Sequence, residues 1–339
     1  MRQAVMVSPG VIEHRQVAEP EPGPGQALLR IRRIGICGSD VHVYHGRHPF
    51  TKYPVVQGHE FMATVEALGP GVQGVAVGAK VTATPQEVCG ECGPCRRGRY
   101  NVCERLKVRG FQAPGVAQDL FVTEADKLVP LPQSFTEEQG AFVEPAAVAA
   151  HASLRAGDLA GKNVVVLGAG PIGNFIAQAC RCRGAARVLI SDPSEYRLQI
   201  ARQVGIDAVC NPTRETLGEA TRRAFGDEGF EVAADAAGVG EALNEALAGI
   251  AKGGTVLVVA VYEERPPVNM ALVSEHELSM LGSMMYRHED YAQAVEWIGS
   301  GALQTEPLDS RHFPFEQYLE AYRYIEAQGD RCVKVFVDL

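Results

Sequence analysis

Asn163-Val164-Val165-Val166-Leu167-Gly168-Ala169-Gly170-Pro171-Ile172-Gly173 is the stretch from which the architecture can be read. An apolar run with no polar alternation describes a strand covered on both faces, as in a parallel sheet. The glycines that follow have G-x-G-x-x-G spacing, and Pro171 at a helix start predicts a helix over 172–183. That six-residue pattern is weak by itself, and its context decides. A second strand, Arg187–Ser191, follows and ends in Asp192, about twenty residues on. So placed, Gly168, Gly170, Pro171, Ile172 and Gly173 let backbone approach a pyrophosphate at a helix N-terminus, and Asp192 can accept from the ribose hydroxyls. A carboxylate there repels a 2′-phosphate and favours NAD. Arg197 is the neighbour that could accommodate NADP.

Downstream, strands over 229–235, 255–260 and 278–281 with a helix over 240–251 extend the alternation into a doubly wound parallel sheet, predicting a cofactor domain at 146–283. Helices near 290–300 and 315–328 precede an alternating strand at the C-terminus. We expect 284–339 to return to the first domain. That domain, 1–145, reads as short strands broken by Gly and Pro, an α/β chain therefore with a β-rich, barrel-like first part.

Two groups of residues in the first part suit metals. In Gly58-His59-Glu60 a His and a Glu stand side by side after an apolar segment, Cys37 lies in a Gly-flanked turn, and Glu144 stands where a strand-like stretch, 142–145, gives way to a helix. Cys, His and carboxylate together read as zinc with one position left open, the mark of a catalytic rather than a structural site. A turn histidine beside an unrelated buried cysteine is the bland alternative. Cys89, Cys92 and Cys95 recur every third residue and Cys103 follows one loop later, a set that can enclose one structural zinc. An iron–sulfur cluster is the chemical rival. Cys180, Cys182, Cys210 and Cys332 read as packing residues.

The chain has 339 residues, 46% hydrophobic content and a net charge of −9, enough for two cores and unsuited to a nucleic-acid partner. No run approaches the ~18 apolar residues of a membrane span, and there is no room for a secretory segment, so a cytoplasmic location is expected. Nine cysteines then point to metal rather than disulfides.

With these motifs in their order, the chain resembles the zinc-containing branch of the medium-chain dehydrogenase/reductase superfamily. It looks closest to bacterial sugar-acid and polyol dehydrogenases, including L-gulonate and L-galactonate 5-dehydrogenases, sorbitol dehydrogenase and starvation-sensing relatives. The resemblance implies a GroES-like catalytic domain and a Rossmann cofactor domain, with two zinc ions per chain. It implies hydride transfer from a secondary alcohol to NAD, and a homodimer or homotetramer. Cys37, His59 and Glu144 would ligate the catalytic zinc, with Glu60 beside it and exchanging with Glu144 or water. Ser39 and His42 resemble the family's proton relay. Met284-Met285-Tyr286 lacks the Arg that sorbitol dehydrogenases carry before Tyr. Arg47, His48, Arg109 and Tyr286 are the candidates to face a polar substrate, and arginines favour a sugar acid over a neutral polyol. A threonine-type dehydrogenase and a non-catalytic NAD-sensing protein are the alternatives. The full set of ligand and relay residues argues against the second.

Overall fold

The structure, a computed structural model, describes residues 1–262 and 264–339. The chain divides into two compact units, one formed by Met1–Glu144, Arg287–Val295 and Asp309–Leu339, the other by Pro145–Tyr286 and Glu296–Leu308. The sequence boundaries placed all of 284–339 with the first part, whereas Glu296–Leu308 belongs to the second unit. The physical reason is a reciprocal pair of bonds: Gln178 Nε2 donates to Gln304 O (3.2 Å), and Gln304 N–H donates to Gln178 Oε1 (2.7 Å). Trp297 adds its ring beneath the Arg183 guanidinium, 5.2 Å away.

The second unit holds a six-stranded parallel sheet in the order Ala208–Cys210, Arg187–Ser191, Asn163–Leu167, Val232–Asp235, Thr255–Val258, Ser279–Gly282. The first strand in sequence lies at the middle, where the winding direction reverses and ligands of such sheets bind. Every residue of Asn163–Leu167 is buried, as its unbroken apolar run requires. The helix Pro171–Cys182 leaves it directly. The strand expected over 229–235 begins only at Val232, because Gly229, with φ of +64°, still belongs to the preceding turn.

In the first unit, Gln26–Gly35 is the central strand, pairing antiparallel with Glu60–Leu68, Leu120–Glu124 and Lys334–Asp338. Lys334–Asp338 is the C-terminal strand expected from sequence, and it also pairs in parallel with Asp309–Pro314. Leu29, Ile31, Phe61 and Val335 fill the core beneath these strands.

The stretch 142–145, expected to pass from strand to helix, lies inside one helix, Glu137–Arg155. Thr136 starts it: Gln139 N–H donates to Thr136 Oγ1 (3.2 Å) and Thr136 N–H to Gln139 Oε1 (2.9 Å), a reciprocal cap. Glu137 and Glu138 in the first turn complement the helix dipole, so the helix is established before Pro145 removes one N–H.

Candidate active site

Three elements of the first unit converge on one buried point. Cys37 caps the helix Gly38–Tyr44, with its N–H donating to Asp40 Oδ2 (3.0 Å). Glu60 opens the strand Glu60–Leu68 opposite Gly35. A Cβ on Gly35 would lie 2.5 Å from Glu60 Oε2, so the glycine is what admits the carboxylate. Before His59 the chain turns at Gly58, with φ of +91°. That turn is fastened by Val116 N–H to Gly58 O (3.0 Å) and Ala117 N–H to Gln57 O (2.9 Å).

Cys37, His59 and Glu60 thereby bring one donor atom each to within 4.8 Å of one another. His59 Nδ1 is buried without a hydrogen-bond partner and looks toward Asp40 Oδ1 at 3.7 Å. This leaves Nε2 for the donor cluster, and a carboxylate behind a histidine is how metal-binding imidazoles are held. A soft thiolate, an imidazole and a carboxylate suit zinc and leave a tetrahedral position free. Burial opposes a charge on His59, but Asp40, Cys37 and Glu144 outweigh it and hold the imidazolium well above its ordinary range. Burial conversely raises the Asp40 carboxyl. Asp40, Cys37 and Glu144 thus surround the histidine with negative charge, which a bound cation would offset. Glu144 is buried and near enough to act on His59 and Lys334, yet Glu60 completes the three-donor cluster.

The four thiols of Cys89, Cys92, Cys95 and Cys103 also meet. Sγ–Sγ separations are 3.5 Å for Cys89–Cys103, 3.9 Å for Cys92–Cys103 and 4.0 Å for Cys89–Cys95. A tetrahedral zinc with Zn–S bonds of ~2.3 Å needs about 3.8 Å. The spacing fits a single ion and is too close for a multi-iron cluster. Backbone N–H groups point at the sulfurs: Cys92 N to Cys89 Sγ at 3.4 Å and Arg105 N to Cys103 Sγ at 3.3 Å.

In the second unit, Gly168 has φ of +91°, and a Cβ on Gly173 would meet Gly168 O at 1.8 Å, so helix and turn touch backbone to backbone. Gly170 caps the helix without a side chain to satisfy the first N–H groups, and a Cβ there would stand in open space. These donors and that space fit a pyrophosphate. Asp192 Oδ2 accepts from Ala169 N–H (2.8 Å) and Oδ1 from Ser194 N–H (2.8 Å), which fixes the carboxylate and leaves lone pairs for a ribose. Arg197 Nη1 lies 4.0 Å from Asp192 Oδ2.

Of the residues expected to face substrate, Arg109 does not offer its guanidinium. It donates to Thr123 Oγ1 (2.6 Å) and Glu124 Oε2 (2.7 Å), reaches Glu87 at 3.4 Å and stacks over Phe121. Buried in that network, it braces strands and has no fork left for a carboxylate. Arg47 is exposed. His48 stacks on Phe111 (4.7 Å, 18°), and Phe111 packs in turn on His59 (4.9 Å), so His48 sits one ring away from the donor cluster. Burial, then His42 and His59, lower the His48 imidazolium. Tyr286 is fully buried at the end of the second unit's long segment. Among the described residues one further group, Glu138, Asp309 and His312, draws together. There the Arg33 guanidinium already binds Glu138 and Asp338 and supplies the cation.

Residues 23–133 match the alcohol dehydrogenase GroES-like domain family, and residues 171–300 the zinc-binding dehydrogenase family. The chain is similar to 2-dehydro-3-deoxy-L-galactonate 5-dehydrogenase of Pseudoalteromonas atlantica, 34% identical over 92% of this chain and 90% of that one. The chain belongs to the zinc-binding alcohol dehydrogenase family. Its first unit is accordingly the GroES-like catalytic domain and its second the Rossmann domain. This dehydrogenase is similar in structure to the alcohol dehydrogenase RspB of Escherichia coli CFT073 complexed with NADH. The TM-score is 0.93, at 28% identity over 100% of this chain and 99% of that one. It is equally similar, TM-score 0.93 and 30% identity over 100% and 99%, to a zinc-binding dehydrogenase of Sinorhizobium meliloti 1021 bound to NADP. Among the described residues no helix is long and apolar enough to cross a membrane.

Sequence reasoning missed two charged members of the dehydrogenase's site. Asp40 stands in the same Cys-Gly-Ser-Asp run as Cys37, and its place three residues after a helix cap was the available signal. Lys334 left no local signal, since it reaches Glu60 only through strand pairing. It forms an ion pair with Glu60 Oε2 and donates to Ile36 O (3.1 Å), with both charged side chains all but fully buried. Burial lowers the Lys334 ammonium, and Glu60, Cys37 and Glu144 more than offset this and raise it. Its contribution to stability is therefore complete below the free-lysine pKa of ~10.4 and fades only as pH rises through the higher folded-state value. Lys334→Met is expected to destabilise the catalytic domain by about 3–5 kcal/mol, because Glu60 is left buried without its partner. Adding Glu60→Gln should recover most of that loss. Denaturant melts of the single and double variants check this, and an unchanged midpoint for Lys334→Met would contradict it.

Proposed function

We propose that this dehydrogenase oxidises a secondary alcohol of a sugar acid, of the L-gulonate or L-galactonate type, with NAD⁺ as hydride acceptor. The observation that carries the reading is the convergence of Cys37, His59 and Glu60 on one buried point. Cys37, His59 and one carboxylate, Glu60 or Glu144, would hold the catalytic zinc, and the four-cysteine lobe a second one. A zinc there supplies acidity, since metal takes bound water from pKa ~15.7 to ~7, and an alcohol gains comparably. Ser39 and His42, both on the helix Gly38–Tyr44, would move the released proton from the Ser39 hydroxyl to the His42 imidazole and on to solvent. Gly168 to Gly173 would hold the pyrophosphate, and the fixed carboxylate of Asp192 would accept from the adenosine ribose and disfavour a 2′-phosphate. Arg197 could favour NADP only by leaving Asp192.

The substrate class rests on charge around the site and on the sugar-acid relative. A cavity of about 570 Å³ in the catalytic domain is walled by Phe111, Tyr53 and Val56 and carries Lys52 and Arg15; Phe111 is its link to the site, since none of Cys37, His59 and Glu60 lines it. With Arg109 committed elsewhere, Arg47, His48 and Tyr286 are left of the groups expected to face substrate, and Arg47 is the fixed cation among them. The loss of Arg109 as a partner also favours a second reading, a neutral polyol. An NAD⁺-reduction screen of matched hexonates and hexitols separates them. Hexonates are expected to show at least ~10-fold higher kcat/KM, and Arg47→Ala to lower it by about 10-fold for acids alone, as for one charge-assisted bond. Hexitols preferred over their acids, with Arg47→Ala leaving that order intact, would overturn the sugar-acid reading.

A further inference from the structure

A line of buried polar groups runs from the donor cluster into the C-terminal helix of the catalytic domain. Asp40 is 1% exposed and touches both sides of the cluster: Oδ2 accepts the Cys37 N–H at 3.0 Å, and Oδ1 faces His59 Nδ1 at 3.7 Å. Behind Asp40 stands Gln57, 2% exposed, whose Nε2 donates to Asp40 Oδ1 (3.2 Å) and to Asp40 O (3.3 Å). Gln57 Oε1 accepts from the Tyr322 hydroxyl at 2.9 Å. Tyr322 comes from the helix Tyr318–Gln328, is 1% exposed, and has its ring stacked on Tyr44 at 4.9 Å and 9°.

The donors and acceptors admit one arrangement. Turning the Gln57 amide over would set its carbonyl against a carboxylate and a backbone carbonyl, so Nε2 must face Asp40. Oε1 then needs a donor, and the phenol is the group that supplies it. Without that donor the amide oxygen would be a buried acceptor with no partner, the costly state for a polar group in an interior. Tyr322 stays a donor throughout the working pH range, since burial and neighbouring Tyr318 and Asp40 push its ionisation far up.

We propose that Tyr322 and Gln57 are positioning residues for the metal site, a brace that fixes the Asp40 carboxylate and through it the Cys37 turn and the His59 ring. The proposal rests on the reading of Cys37 and His59 as zinc ligands. The brace supplies no donor to the cluster itself. Its effect is on how tightly and in what geometry the cluster closes on a metal. Groups that orient a metal-binding histidine are worth about 10- to 100-fold in metal affinity or activity, and these stand one and two steps behind Asp40.

The test uses the full-length chain with both metals loaded, and the variants Tyr322→Phe and Gln57→Leu, with Tyr44→Phe as a control that keeps the ring stack. Zinc release into a chelator is followed with thiol reporters, and the cobalt-substituted protein supplies the d–d spectrum of the Cys37–His59 site. Tyr322→Phe should release the catalytic zinc about 10-fold faster and shift the cobalt bands, Gln57→Leu more so, with the cysteine-lobe metal and the Tyr44→Phe control unchanged. Wild-type release rates and an unshifted spectrum in both variants would overturn the proposal, whatever happens to their melting points. A wild-type chain that takes up only the cysteine-lobe metal would overturn the zinc-ligand reading and this inference with it. Two metals bound with unaltered variants would remove the brace alone.

Discussion

Replacing His59 by alanine is expected to lower kcat/KM for alcohol oxidation at least about a thousandfold and to leave one zinc per chain where the parent, on the proposed ligand sets, would hold two. The magnitude follows from chemistry at the reacting oxygen. Removing one preorganised stabiliser of developing negative charge costs about 10²–10³ in rate, and with His59 as a zinc ligand the whole electrophilic centre would go with the imidazole. Two buried carboxyl groups, Asp40 and Glu60, would remain around the gap, Asp40 held by the Cys37 N–H and Gln57 and Glu60 by Lys334. Glu144→Gln makes the informative comparison, because Glu144 lies outside the three-donor cluster. With Glu60 as the carboxylate ligand, it should retain both metals and lose far less activity than the His59 variant. Metal analysis with steady-state kinetics checks both. Two zinc ions retained in His59→Ala would sink the ligand assignment, and equal losses in the two variants would return Glu144 to the coordination sphere.

What could be read before the structure was local in the chain. Asn163–Leu167 lies at the sheet's centre because its apolar run tolerates no solvent face, and Gly168 to Gly173 make the turn that their spacing describes. The four thiols from Cys89 to Cys103 met for the same reason: short Gly-rich intervals allow few other outcomes. The errors arose where distant segments decide. Lys334 reaches Glu60 because Lys334–Asp338 adds to Gln26–Gly35, a pairing across 300 residues that no window of sequence reports. Arg109 looked free for a substrate because its type is suited to one, yet Glu87, Thr123 and Glu124 satisfy it. The reading of 142–145 as a strand ending failed against a signal that was in view, Thr136-Glu137-Glu138-Gln139, whose cap starts the helix earlier. Tyr322 falls in the stretch 315–328, read from sequence only as a helix, and the packed structure is what gives its hydroxyl a partner.

The other large effect is expected at the cysteine lobe, where removing the metal should unfold residues 89–103 while the strands of both domains persist. The lobe has almost nothing else to hold it. Its regular structure is a four-residue helix, Gly93–Arg96, a short 3₁₀ turn, and a two-residue strand pair, Gln86–Glu87 with Lys107–Val108, and between Cys89 and Arg99 no side chain is buried. Zinc at such a four-thiolate site is worth about 10–16 kcal/mol in isolated zinc-finger peptides, far more than so few contacts could replace. The metal must also displace thiol protons. Without it Cys95 is pushed up to about 12 by partial loss of hydration and by the neighbouring thiols, whereas the Glu91 N–H and other donors bring Cys89 down to about 6. Metal uptake at neutral pH should therefore release protons, that of Cys95 among them. Arg96, Arg97 and Arg99 make the order of the lobe measurable, because trypsin cuts after arginine in an unfolded segment. Chelation, or Cys103→Ser in the presence of zinc, is expected to open rapid cleavage at these three arginines while the remaining fragments stay folded. A metal-stripped chain that resists trypsin there as the loaded one does would show that the lobe is held by its own packing, and that the cysteines are not a structural metal site.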